Sequence, residues 1–155
     1  MNNLKKKIKK MFFTNCGINN KIIRDLWLEK TLSEIPSGSK ILDAGAGELQ
    51  YKKYCKHLEY VSQDFGQYNG KGDKKGLQTE KWDNSKLDIV SDITNIPVPD
   101  SSFDAIMCIE VFEHIPEPIK AVKEFSRILK RGGTNFDCTS MLTYPFCLLL
   151  FLQRL

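Results

Sequence analysis

The chain has 155 residues, a formal net charge of +4, 41% hydrophobic and 27% charged residues. That is one domain's worth of ordinary globular sequence, and it excludes a disordered or membrane-embedded chain. The five lysines of residues 1–10 account for the whole positive excess, so the rest lacks the broad basic surface that nucleic-acid binding uses.

In chain order, Leu4, Ile8, Met11 and Phe12 recur at helical spacing between lysines. Two readings stay open for this basic amphipathic helix: docking on its own domain, or peripheral contact with an anionic membrane surface. A break at Asn15–Asn20 follows. Ile22, Ile23, Leu26, Trp27, Thr31, Leu32 and Ile35 then predict a second helix, ended by Pro36-Ser37-Gly38. From Lys40 the period changes. Strands are expected at 40–44, 59–64, 87–91, 104–109 and 134–139, and helices at 48–57 and 117–130, an α/β order with a parallel sheet. Residues 65–85 read as a long polar loop in which Trp82 has the largest apolar face. The apolar stretch 141–152 is too short to span a bilayer and is interrupted by Pro145.

The chemistry concentrates at residues 41–49, Ile-Leu-Asp-Ala-Gly-Ala-Gly-Glu-Leu. A buried strand ends in Asp43, and Gly45 and Gly47 leave the next turn without side chains, so a ligand can approach the main chain. Asp64 ends a second apolar run. An acid about 20 residues beyond a glycine turn is what a nucleoside site uses to hold ribose hydroxyls. Leu49 follows where a third glycine of a dinucleotide site would be sought, and Asp43 sets negative charge where a pyrophosphate would sit. Both disfavour NAD. They suit a ligand with a cationic end, such as S-adenosylmethionine (SAM).

Further along, Leu87–Ile93 leads into a Pro-containing loop. Ser102–Glu110 reads as a buried strand, Val111–Pro116 follows, and a helix ends at Leu129-Lys130-Arg131-Gly132-Gly133. This ordered series resembles a class I SAM-dependent methyltransferase of the small methyltransferase-domain type over residues 38–134. The resemblance implies a Rossmann-like, doubly wound, mostly parallel sheet. It also implies that Asp43, Gly45, Ala46 and Gly47 meet the amino-acid part of SAM, and that Asp64 and Phe65 meet its ribose side. Asp92 and Ile93 would hold the adenine, and Cys108 and Glu110 would lie beside the methyl donor. Residues 1–37 are then a helical cover and 38–155 the SAM-binding domain.

Methyl transfer needs alignment more than a catalytic side chain, since the cofactor brings its own leaving group. For a hydroxyl acceptor a general base helps, and Glu113 and His114 are the candidates. Glu110, Glu113 and His114 are also similar to a metal-binding segment of some methyltransferases, but no further histidine follows His114, so no metal is expected. The acceptor is not written in the residues. A small molecule, or a glycan- or lipid-linked one, fits the basic N-terminus. Five scattered cysteines without a CxxC pair or a leader-like segment point to reduced thiols and a cytoplasmic protein. The poor strand at 134–139, with Asp137 in its middle, suggests an aberrant or truncated end at 134–155, lacking the final strands of the fold. A non-catalytic remnant that keeps the SAM-binding fold is therefore the alternative to an active enzyme.

Overall fold

The structure, a computed structural model, describes residues 20–67, 85–130 and 147–148. The basic N-terminal helix, most of the polar loop with Trp82, the strand expected at 134–139 and the rest of the apolar tail lie outside these residues. The chain divides into two compact units, Met1–Ile35 and Pro36–Leu155.

In the first unit, helix α1 spans Asn20–Ser33. Leu28 and Leu32, four residues apart and so on one face, are fully buried, whereas Ile22 and Leu26 are exposed. Near its end the Thr31 hydroxyl donates to the Trp27 carbonyl, 2.9 Å away.

The second unit is a sheet built from β1 (Lys40–Ala44), β2 (Glu59–Asp64), β3 (Ile89–Val90), β4 (Ala105–Ile109) and β5 (Cys147–Leu148), in the order β3-β2-β1-β4-β5. The first four strands pair in parallel. Helix α2 (Pro118–Ile128) follows β4, with Pro118 at its start, where a missing N–H costs nothing. The 3-2-1-4 order is the first half of a Rossmann-like, doubly wound sheet, and the direction of winding reverses between β1 and β4. β4 is apolar and wholly buried, and β1 is buried from Ile41 to Ala44, as central strands of a parallel sheet are. Leu42, Ala44, Ile106 and Cys108 form one core with Phe125, Ile128 and Leu129, and Phe103 and Ile96 complete it. At the other end of the same strands, the Lys40 N–H donates to Asp104 Oδ2 at 2.9 Å, and Lys130 Nζ grips both oxygens of that carboxylate.

Three elements differ from the sequence expectation. In place of a helix over 48–57 there is a series of turns with one 3-10 turn at Lys52–Tyr54. Leu49 takes φ +61°, a left-handed conformation that stops an α-helix from propagating. The third strand is only two residues long, because the Asp88 carboxylate, rather than a strand backbone, bonds the N–H and hydroxyl of Ser62 at 2.8 and 2.6 Å. The apolar tail supplies a strand of its own: Cys147 and Leu148 pair antiparallel with Ile109 and Cys108. Among the described residues neither of the two closing strands of a complete doubly wound sheet is present.

Candidate functional site

At the carboxyl ends of the parallel strands, where the winding reverses, lies a cleft of about 430 Å³. This is where a doubly wound sheet places its ligands. Gly45 comes from the end of β1. Gln63, Asp64 and Phe65 come from the end of β2, and Asp92, Ile93 and Thr94 from the loop after β3. Val111 and His114–Glu117 follow β4.

The glycine turn is fastened to β2 by main chain. The N–H groups of Gly45 and Ala46 both donate to the Gln63 carbonyl, at 2.8 and 2.9 Å. The Gly47 N–H donates to Asp64 Oδ2 at 3.1 Å, and the Gly66 N–H to Oδ1 at 3.0 Å. Each carboxylate oxygen keeps further acceptor capacity, so Asp64 is a fixed, pre-oriented acceptor for two hydroxyls. Gly45, Gly47 and Gly66 all have positive φ. Gly45 itself lines the cleft. A Cβ at Gly45 would lie 2.7 Å from Val111 Cγ1 and still closer to Cγ2, so the space is taken by a side chain arriving from β4.

Asp43 lies beneath this turn and is buried, not on the cleft wall. The Tyr60 hydroxyl donates to its Oδ2 at 2.6 Å. Burial pushes the Asp43 carboxyl up to about 7 despite that hydrogen bond, and the charge of Asp64 adds to the rise. The same burial pushes the nearby Cys55 thiol up to about 12, which makes it inert. Asp92, by contrast, is held below the usual carboxylate range by the N–H and hydroxyl of Thr94, both 2.8 Å from Oδ1.

Of the residues singled out from sequence, Gly45, Asp64, Phe65, Asp92, Ile93 and His114 share the cleft wall. Ala46 and Gly47 belong to the turn behind it. Cys108 is fully buried in the core, so its thiol takes no part in the wall. Glu110 is exposed just past β4 at φ +55°, a conformation that costs a non-glycine residue on the order of 1 kcal/mol. The 3-10 turn Phe112–His114 places His114 on the wall, with Nε2 3.5 Å from Glu113 Oε1. Sequence reading missed Gln63, Thr94, Val111, Ile115, Pro116 and Glu117. The signal available for Gln63 and Thr94 was adjacency to Asp64 and Ile93. Gln63 is a buried polar residue in a parallel strand, and its Nε2 donates to the Ser91 carbonyl at 2.7 Å, tying β2 to the end of β3.

The wall carries three carboxylates, Asp64, Asp92 and Glu117, and no lysine or arginine among its lining residues. Such a cleft repels a pyrophosphate and attracts a cation. Its donor set fits SAM: a caged carboxylate for a ribose diol, an acid beside apolar Ile93 for an aminopurine, and negative potential for a sulfonium and an ammonium. Among the described residues no group of three or more His, Cys, Asp or Glu is arranged to hold a metal ion.

Residues 42–136 match the family model described as a methyltransferase domain. The chain is 28% identical over 122 residues to the uncharacterized methyltransferase YcgJ of Bacillus subtilis, covering 70% of this chain and 44% of that protein. It is 46% identical over 38 residues to a ubiquinone biosynthesis O-methyltransferase of Xanthomonas campestris, a match covering 24% of this chain and 16% of that enzyme. The chain thus spans less than half the length of these relatives. The crystal structure of YcgJ superposes with a TM-score of 0.52 at 24% identity, covering 71% of this chain and 47% of that one. A putative S-adenosyl-L-methionine-dependent methyltransferase from Methanococcus maripaludis superposes at 0.53 with 21% identity, covering 83% and 60%. At these identities the two structures speak for the fold alone.

Proposed function

Because the chain belongs to the methyltransferase-domain family, we propose that its cleft binds SAM and serves methyl transfer to an acceptor. The observation that carries this reading is the Asp64 carboxylate, caged by the Gly47 and Gly66 amides in a cleft whose charged lining side chains are all acids. Asp64 accepts the ribose hydroxyls, Asp92 and Ile93 hold the adenine, and the acidic wall faces the cationic end. When bound, SAM supplies a methyl group already activated on a sulfonium. The protein's part is then to align and to exclude water.

For an oxygen acceptor, His114 takes the proton and Glu113, beside it, steadies the imidazolium. The short likeness to an O-methyltransferase supports an oxygen acceptor. A glycan- or lipid-linked hydroxyl belongs to that class, and the lysines of residues 1–10 would favour an anionic carrier or a peripheral membrane contact. No helix among the described residues is long and apolar enough to cross a membrane. The scattered cysteines, without a CxxC pair, favour a cytoplasmic setting.

Calorimetric titration with SAM, S-adenosylhomocysteine and NAD tests the cofactor reading. SAM and S-adenosylhomocysteine are expected to bind and NAD is not. NAD binding in preference to SAM would overturn the assignment. Labelled SAM with cell extract then separates an enzyme from a chain that binds the cofactor without turnover.

A further inference from the structure

The segment between β3 and β4 supplies the cleft with Asp92, Ile93 and Thr94, then enters the core at Ile96, which pairs with no strand among the described residues. Side chains of α2 hold its backbone instead. The buried Ile96 donates its N–H to Glu124 Oε1 at 2.7 Å, and its carbonyl accepts from Arg127 Nη2 at 3.0 Å. Arg127 Nη1 donates to the Val98 carbonyl at 2.8 Å and to Asp100 Oδ1 at 2.7 Å. Nε and Nη2 return to the two oxygens of Glu124, at 2.9 and 2.7 Å. All five guanidinium donors are thus used, in a fork that an ammonium cannot reproduce. Glu124 is itself almost wholly buried.

We propose that Glu124 and Arg127 are positioning residues that hold the nucleobase wall of the cleft, and that cofactor affinity and base selectivity depend on them although neither touches the cleft. The inference rests on the cofactor reading above. The connection is short. Thr94 lies two residues before Ile96, a reach of at most about 7 Å. The Asp92 carboxylate accepts from the Thr94 N–H and hydroxyl, and its carbonyl accepts from the N–H of Asn95, which lies between Thr94 and Ile96. Slack at Ile96 therefore passes to Thr94 and then to the carboxylate that faces the base. The ribose side, fastened by main chain to β1 and β2, does not share this dependence.

The test is Arg127→Lys, which keeps the charge and loses the fork. The wild type and the variant are titrated well below both melting temperatures with S-adenosylhomocysteine and with its inosine counterpart, which carries a 6-oxo group in place of the 6-amino group. The wild type is expected to prefer the amino base. The variant is expected to bind S-adenosylhomocysteine on the order of ten-fold more weakly, with a smaller preference. Without ligand, the Thr94 and Ile96 amides should exchange faster in the variant while those of 105–109 do not. Should Arg127→Lys fail to fold, Glu124→Gln, which removes the charge and keeps the shape, is expected to change the same readouts. A lowered melting temperature with unchanged affinity ratio and unchanged exchange at 94 and 96 would reduce the pair to structural support and overturn the inference alone. A wild type that binds neither nucleoside overturns the cofactor reading and the inference together.

Discussion

On the β1–β2 side of the cleft, main chain does the fastening: two turn amides share the Gln63 carbonyl, and two more hold the Asp64 carboxylate. On the β3–β4 side, side chains do it, with Glu124 and Arg127 reaching from α2 to carbonyls and an amide of the loop. Each side also carries one buried acid, and the two acids behave in opposite ways. Asp43 is pushed up to about 7 by burial, with only a tyrosine hydroxyl to favour its charge. Glu124, first through its hydrogen bonds from Arg127, is held below its ordinary value. A buried carboxylate is a liability or an asset according to whether a cation comes with it. The main-chain side gains precision from backbone geometry and is sensitive where a side chain cannot be added. The side-chain side is sensitive wherever its two charged residues change.

The largest expected effect comes from Asp43. Its folded pKa of about 7 lies above the unfolded value of 3.8, so the native state holds the extra proton between them. The contribution is fully present below pH 3.8 and is lost as pH rises through about 7. Asp43→Asn removes this loss. Relative to the wild type it should gain on the order of 4 kcal/mol, as a ceiling, between pH 4 and pH 8. Denaturant midpoints measured across that range check it, and parallel pH profiles for the two proteins would refute the burial argument.

Next is Gly45→Ala. The added methyl enters the Val111 side chain at a residue with φ +80°. The cost should be roughly 3 kcal/mol in urea unfolding, the sum of overpacking and left-handed strain. In a Val111→Ala background the two methyl clashes disappear, a tight Cβ contact at 3.0 Å remains beside the backbone strain, and the cost should fall to roughly 1–2 kcal/mol. Equal costs in both backgrounds would mean that Val111 is not what excludes a side chain here.

Arg127→Ala should cost roughly 2–3 kcal/mol, because Glu124 and the carbonyls of Ile96 and Val98 lose their donors together. Its pH signature runs opposite to that of Asp43. The lowered Glu124 contributes stability above its ordinary value of 4.5 and loses it as pH falls through the folded value. Acidification below pH 4.5 should therefore narrow the gap between wild type and variant; a gap that widens would contradict the assignment.

The smallest effect is on ligand affinity. Asp64→Ala removes an acceptor that main chain had oriented, so SAM binding should weaken about ten-fold, roughly 1.4 kcal/mol, with the fold retained. Unchanged calorimetric affinity would place the ribose elsewhere.

The strands β1, β2 and β4 were legible because short apolar runs closed by acids or glycines record burial directly, and burial of a strand is a local pattern in the sequence. The positions of Asp64, Asp92 and Ile93 followed, since they lie at strand ends and a parallel sheet brings its strand ends together. What the sequence could not determine depended on partners far along the chain. The helix expected at 48–57 fails at Leu49, whose left-handed backbone no propensity announces. The need for glycine at 45 comes from Val111, which follows β4, a strand that pairs with β1 although β2 and β3 lie between them in sequence. Arg127 and Glu124 read as ordinary charged helix residues, and only the packing of α2 beside Ile96 makes them the donors and acceptors of a strandless loop. The tail strand at Cys147–Leu148 was likewise decided by the open edge of β4, not by its own residues. Local pattern fixes where the backbone is buried. Which side chain meets that backbone is fixed only when the sheet order and the helix position have brought the two together.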